Sequence, residues 1–253
     1  MKEISSVNNY YIKSISKIID QASTDFSLCI VEGKKVFETF LNSKLYVLQK
    51  VYLTEETKEL ENIIANKEKI IYVSKKIMVH LSKMDTPSQV IGVFKKKYND
   101  DYKKIPIEGT YVLYNISNPG NLGTIIRTAV AFNRKYLILI EGCHYHNFKV
   151  VQATAGMLSK IKIYRVKWEE FMNLIRNKNI PIYALDMAGE NFLNLKKEDL
   201  SLSYLLIGNE GNGIPDKIKE KSDRIISIQM SSYCESLNAS IAASIIGFKG
   251  WGS

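Results

Sequence analysis

The chain is expected to fold as an α/β protein, with a mostly parallel sheet flanked by helices in its second half and a smaller α/β unit before it. Three observations predict this. Apolar, β-branched runs of strand length alternate with stretches of helical spacing along most of the sequence. Three of those runs, residues 111–116, 202–208 and 224–230, end in loops rich in Gly, Asn and Ser, and open α/β sheets hold their ligands at that end of a strand. At 253 residues, 45% hydrophobic and 24% charged, the chain has the composition of a globular protein with one large or two small cores.

In the first half, YIKSISKIID has helical spacing, with Ile12, Ile15, Ile18 and Ile19 on one face. FSLCIVEG is a strand running into a turn, and KKVFETFLNS a helix with Val36, Phe37, Phe40 and Leu41 at core spacing. LYVLQKVYLT is a second strand, EETKELENIIAN a second helix and KIIYVS a third strand; IMVHLSKM is a short helix and VIGVFKK a further strand. This alternation describes a small α/β sandwich over residues 1–97. KKKYNDDYKKIPIEG is charged, carries a proline and has no periodicity, which places a linker at 98–109. The lysines Lys95, Lys96 and Lys97 read there as solvated charge.

The second unit spans 110–253. YVLYNI is a strand, NPGNLG a loop at its carboxyl end, TIIRTAVAF a buried helix and KYLILIE another strand. The loop offers glycine dihedrals, unpaired amides and a helix start, features suited to an anionic or polar group. Arg127 falls about one helical turn in, able to lean back toward it, and Asn121 aims an amide at the same place. EEFMNLIRNKN reads as a helix, IPIYALDM, LSYLLIG and RIISIQM as strands, and ESLNASIAASIIGF as a closing helix.

Two further stretches carry chemistry. LIGNEGNGIP is a strand running into a loop with three glycines and one acid, Glu210; glycines let a ligand approach backbone closely, and the carboxylate can accept hydrogen bonds from a polar substrate. IQMSSYCESLN leads from a strand into a helix. Ser236 or Glu235 would serve as its N-cap, which leaves Asn238, a poor helix former, without a structural role. Three polar loops at strand ends point to a pocket.

Composition and motif spacing exclude other classes. The formal charge of +9 favours a polyanionic partner, although the excess is spread over both halves. Three widely spaced cysteines argue against a disulfide framework. The start MKEISSVNNYYIKS has no signal-peptide pattern and no run reaches the length of a membrane span, so a cytoplasmic protein is expected. Gly120, Gly123 and Glu141 only imitate a dinucleotide fingerprint, since G-x-G-x-x-G is missing. Cys143, His144 and His146 lack a second cluster at metal-site spacing, so no metal is expected and they are assigned to a solvent-exposed loop. Tyr10, Tyr11, Tyr111 and Tyr114 are assigned to core or interface contacts.

Taken in order, NPGNLGTIIRTA, IGNEGNGIP and SIQMSSYCESLNASIAAS resemble the three motifs of the SpoU/TrmH family of RNA ribose 2′-O-methyltransferases, in the SPOUT superfamily, and VVQATAGML between them also looks familial. FSLCIVEGKKVFETFL and the strands to about Phe94 resemble the family's N-terminal substrate-binding domain, related to a ribosomal protein fold. This chain has Asn118 where the family usually has Asp, Gln229 where it has Pro and Ser232 where it has Gly. The resemblance implies a C-terminal trefoil knot, which ordinary topology rules would not propose. It implies S-adenosylmethionine held near Leu206, Gly208, Ile228, Met230 and Leu237, largely through backbone. It implies a homodimer with its catalytic groups gathered near the subunit interface. Arg127, Asn121, Glu210, Ser236 and Asn238 stand where the family's functional residues do, Arg127 either as the base for a ribose hydroxyl or as a cation favouring the alkoxide. The two-domain layout resembles the large-subunit rRNA enzymes; the alternatives are a tRNA enzyme of the same family and an RNA-binding protein that keeps the fold without catalysis.

Overall fold

The computed structural model describes residues 3–21, 26–98, 110–175 and 178–251. The linker expected at 98–109 lies, from residue 99 on, outside the described residues. Contacts divide the chain into two compact units, one of residues 1–99 with 146–160, the other of residues 100–145 with 161–253.

In the first unit, α1 (Tyr10–Gln21), β1 (Leu28–Glu32), α2 (Lys34–Leu41), β2 (Tyr46–Leu53), β3 (Ile70–Tyr72), α3 (Lys75–Leu81) and β4 (Val90–Lys96) follow the expected alternation. Residues Glu55–Ile63 form a 3-10 helix rather than an α-helix, with Thr57 kinked out of helical geometry. The sheet order is β1-β4-β2-β3, β4 antiparallel to both neighbours and β2 parallel to β3. Lys95 and Lys96 end β4, paired across the sheet with Leu28 and Tyr46, so they are strand rather than linker. Ile12, Ile15 and Ile19 of α1 pack with Ile30, Tyr52, Ile71 and Ile77.

The segment after Tyr145 departs from a simple surface loop. It carries α5 (Phe148–Ala153) and belongs to the first unit. His146 is buried there, its Nε2 2.9 Å from the Tyr46 hydroxyl and its Nδ1 2.7 Å from the Phe26 carbonyl. A carbonyl only accepts, so Nδ1 carries the proton and Nε2 accepts from tyrosine. That is a structural histidine. The Ser43 hydroxyl likewise donates to the Ser159 carbonyl at 2.7 Å.

The second unit contains β5 (Tyr111–Tyr114), α4 (Pro119–Ala131), β6 (Tyr136–Ile140), β7 (Lys162–Val166), α6 (Trp168–Ile175), β8 (Ile182–Asn191), α7 (Lys197–Ser201), β9 (Tyr204–Ile207), α8 (Asp216–Lys219), β10 (Arg224–Ser227) and α9 (Ala239–Gly250). Strand order is β10-β8-β9-β5-β6-β7, every pairing parallel. Near-continuous apolar strands such as YLILI and YLLI are what a sheet covered on both faces requires. From β5 the chain runs outward through β6 and β7, then returns on the other side of β5 with β8 and β9. The strand order therefore reverses between β5 and β9, and a sheet of this kind opens its ligand crevice at that point, at the strands' carboxyl ends.

Helix α9 closes the unit against α4 and β5. Its Ala243 carbonyl accepts from the buried Tyr111 hydroxyl at 3.0 Å, and its Ser244 hydroxyl donates to Thr128 at 3.2 Å. The Tyr111 hydroxyl fits because residue 247 has no side chain: a Cβ there would overlap it. Gly247→Ala is accordingly expected to lower stability by about 1–3 kcal/mol, the cost of overpacking a filled site. Urea denaturation checks this, with Tyr111→Phe in the same chain recovering part of the loss.

Candidate functional site

At the switch point the residue after β5, Asn115, takes a left-handed conformation (φ 51°), which Asn tolerates better than most side chains. Its carbonyl accepts from Asn209 Nδ2 at 2.7 Å. Asn209, which sequence reading passed over, organises the loop after β9. Its Oδ1 accepts from the amides of Gly211 at 2.8 Å and Asn212 at 3.1 Å, and its backbone exchanges two hydrogen bonds with Gly213. Asn opening a glycine turn is the available signal for that role. Gly208 is required here, since a Cβ would come within 2.5 Å of the Gly213 carbonyl carbon.

The loop expected at Pro119–Gly123 is the first turn of α4. Asn118 is its N-cap, with Oδ1 accepting from the amides of Gly120 at 2.8 Å and Asn121 at 3.3 Å, and Pro119 suits the first helical position. Asn118 thus supplies the acceptor that an aspartate would. Those amides are not free for a ligand. The anion drawn to this helix start is the chain's own Glu210. Its Oε1 accepts from Asn121 Nδ2 at 2.8 Å and the Asn118 amide at 3.4 Å, its Oε2 from the Ser117 hydroxyl at 3.3 Å and amide at 3.4 Å. Burial would raise the Glu210 carboxyl, but the bond from the Asn121 side chain, together with backbone amides including those of Ser117 and Asn118, outweighs it and holds it below the ordinary carboxylate value.

Asn121 is itself almost fully buried and carries the network onward: its Oδ1 accepts from Asn238 Nδ2 at 2.9 Å. Asn238 Oδ1 then accepts from the Ser240 amide at 2.8 Å and the Ser240 hydroxyl at 2.6 Å. Asn238 is therefore the N-cap of α9. Helix α9 starts at Ala239, and neither Ser236 nor Glu235 caps it. A residue that looked misplaced inside a helix is what begins it.

Beside this network lies a cavity of about 310 Å³, lined by Leu185, Asp186 and Met187, by Ile207 to Gly213, by Ile228 and Met230, and by Ser236, Leu237, Ala239 and Ala242. Gly208, Ile228, Met230 and Leu237 of the expected cofactor residues line it, as do Glu210 and Ser236. Leu206 does not; it is packed in the sheet core with Val112 and Ile138. The loop after β10 turns back through a hydrogen bond from the Cys234 amide to the Ser231 carbonyl at 3.1 Å. Ser232 has no positive φ, so the turn does not need glycine there.

Arg127 stands apart from this grouping. Because α4 begins at Pro119, Arg127 lies about two turns in rather than one. It is six residues beyond Asn121, hence about 9 Å along the axis and about 120° round the helix, on the exposed face with Thr124. Among the described residues no three His, Cys, Asp or Glu side chains are grouped to hold a metal, and no helix is long and apolar enough to cross a membrane.

Residues 109–248 match the model of the SpoU rRNA Methylase family, and residues 9–92 that of an MRM3-like substrate binding domain. The chain is similar to RlmP of Bacillus subtilis, a 23S rRNA (guanosine(2553)-2′-O)-methyltransferase, at 25% identity over 97% of this chain and 98% of that protein. An uncharacterized tRNA/rRNA methyltransferase of Borreliella burgdorferi is 29% identical over 76% of this chain and 83% of that protein. Among solved structures, the AdoMet-bound rRNA methyltransferase from Sinorhizobium meliloti superposes with a TM-score of 0.87 at 27% identity, over 98% of this chain and 97% of that one.

The depressed Glu210 carboxyl fixes the sign of a pH effect. A group ionised more easily when folded stabilises the fold above its ordinary value, and that contribution fades as pH falls through the depressed one. Glu210→Gln is expected to be less stable than the native chain at about pH 7 and to converge with it in acid. Parallel urea titrations across that range measure the convergence.

Proposed function

The chain belongs to the SpoU rRNA methylase family, and from that premise we propose that it transfers a methyl group from S-adenosylmethionine to a ribose 2′-hydroxyl of RNA, with 23S rRNA, the substrate of RlmP, as its target class. The observation that carries the reading is the hydrogen-bonded series Asn238–Asn121–Glu210 beside the cavity. It joins the three motif loops into one polar site next to an apolar slot.

The lining fits the methyl donor. A volume of about 310 Å³ is at the lower end of small-molecule sites. Ile228, Met230, Leu237 and Ala242 offer apolar surface for a purine, while Gly208 and its neighbours bring backbone groups close. When bound, the donor supplies a methyl group made electrophilic by its sulfonium. The protein's task is then to hold the ribose oxygen in line and ease loss of its proton to water as the new C–O bond forms and the methyl leaves its sulfur. Ser236 orients the ribose, Asn121 and Asn238 hold the loops around it, and Glu210 fixes their amides. A guanidinium keeps its proton in proteins, so Arg127 works as a cation, gripping a substrate phosphate and favouring the developing alkoxide.

Arg127 does this across a homodimer. Support comes from α9, whose outer face leaves Ile241 51% and Phe248 65% exposed, with Leu193 62% exposed beside it. A helix that is apolar all round is built to be covered. We infer that a second copy covers this face and that Arg127 serves the cavity of the other subunit. The C-terminal part is knotted as a trefoil, residues 1–97 bind the RNA, 98–109 link, and 110–253 catalyse in the cytoplasm.

The test is to map 2′-O-methylation across total RNA from cells with and without the gene. One 23S rRNA position should lose its mark; a mark lost from tRNA would favour the tRNA reading, and none lost would leave an RNA-binding protein. In vitro, Arg127→Ala should reduce turnover by at least about 100-fold, the scale of losing a charge-stabilising donor. Folding and S-adenosylmethionine affinity should stay within a few-fold. Retained turnover would remove Arg127 from the site.

A further inference from the structure

Strand β8 is interrupted beside the cavity. Ile225 of β10 pairs with Ala184, and the next residue, Ile226, pairs with Glu190, so residues 185–189 stand outside the ladder. Gly189 closes this excursion: a Cβ there would come within 2.6 Å of the Ile225 carbonyl and the Ile226 backbone, too near for any other residue. Chain that leaves a ladder and must be pinched shut with glycine is characteristic of strands that re-aim a side chain.

The side chain so aimed is Asp186, which lines the cavity with Leu185 and Met187. Its Oδ1 accepts from the Ala188 amide at 3.1 Å, its Oδ2 from Lys219 Nζ at 2.9 Å. Lys219, on α8, also meets Asp216 at 2.9 Å. Burial would raise the Asp186 carboxyl, but the bonds from Lys219 and Ala188 outweigh it and keep it below its ordinary value. An ionised carboxylate has about four acceptor sites. Two are taken, one on each oxygen, and one remains on each. Two acceptors a carboxylate's width apart are the complement of a vicinal diol, and acidic side chains read ribose hydroxyls in this way in other α/β sites. The charge of Asp186 is already met by Lys219, which makes it a poor counterion for a sulfonium but leaves its hydrogen bonding intact. Ribose within an RNA strand has its 3′-oxygen esterified; the adenosine of the methyl donor keeps both hydroxyls.

We propose that Asp186 is a cofactor-binding residue that accepts hydrogen bonds from the 2′- and 3′-hydroxyls of the donor's ribose, with Lys219 as the residue that positions it. This rests on the reading of the cavity as the S-adenosylmethionine site.

The test is calorimetry on the full chain with two paired probes, S-adenosylhomocysteine and its 2′-deoxy analogue, and with S-adenosylmethionine as a control. For Asp186→Asn, affinity for S-adenosylhomocysteine should fall about 10- to 100-fold, as expected for hydrogen bonds to a charged acceptor. Affinity for the 2′-deoxy analogue should fall much less. Lys219→Met, which removes the tie but keeps the carboxylate, should weaken both probes only modestly and preserve the preference for the full ribose. Equal losses for both probes in Asp186→Asn would reduce Asp186 to a loop tie and overturn the proposal. So would an unchanged S-adenosylhomocysteine affinity, or a loss seen only with S-adenosylmethionine, which would mark a counterion. Failure of the native chain to bind either S-adenosylmethionine or S-adenosylhomocysteine would sink the cavity reading itself, an outcome distinct from all of these.

Discussion

A carboxylate can only accept hydrogen bonds, and the polarity of the site follows from that asymmetry at Glu210. Asn121 must turn its amide nitrogen toward Glu210, which leaves its oxygen facing Asn238. Asn238 must therefore donate, which leaves its own oxygen free to receive Ser240 and start α9. One acid on the loop after β9 thus sets the orientation of two amides and the first turn of a helix more than twenty residues further on. Reversing either amide would set donor against donor or acceptor against acceptor, and each unmet buried group costs about 1–3 kcal/mol. These bonds join the loops to one another through the chain's own groups, which is what preorganisation asks of a binding site.

The sheet makes this series possible. Parallel strands send their carboxyl ends to one edge, and the reversal between β5 and β9 opens a crevice there with the loops on either side of it. Asn115 and Gly208 accept backbone geometries that let those loops touch. The cost is that the helix start at Pro119 is filled by Glu210, so a ligand must use the neighbouring cavity rather than the helix dipole.

Much of this was legible in the sequence, because hydrophobic periodicity reports burial directly and Gly/Asn loops at strand ends report where backbone is free to bend. The strands of both units and the convergence of the Asn121, Glu210 and Asn238 loops were expected and are present. What escaped has a common cause: the partner of a polar side chain is a tertiary fact. Asn118 reads as loop and is a cap. Asn238 reads as an anomaly and is a cap too. Arg127 reads as leaning on the loop, but the helix begins at Pro119, five residues before the expected Thr124, and Arg127 lies on its exposed face. His146 belongs, by its contacts with Tyr46 and Phe26, to a unit a hundred residues away. Asp186 ends an apolar run without any mark to distinguish it from a surface acid; only the broken register of β8 reveals it.

If the Glu210–Asn121–Asn238 series acts as one unit, its members cannot be removed independently. The most direct measurement is a double-mutant cycle of Asn121→Ala and Asn238→Ala read as S-adenosylmethionine affinity by calorimetry. The double variant should bind about as weakly as the worse single variant, a coupling of at least about 1 kcal/mol. Additive losses would show that the two amides act separately and would contradict it.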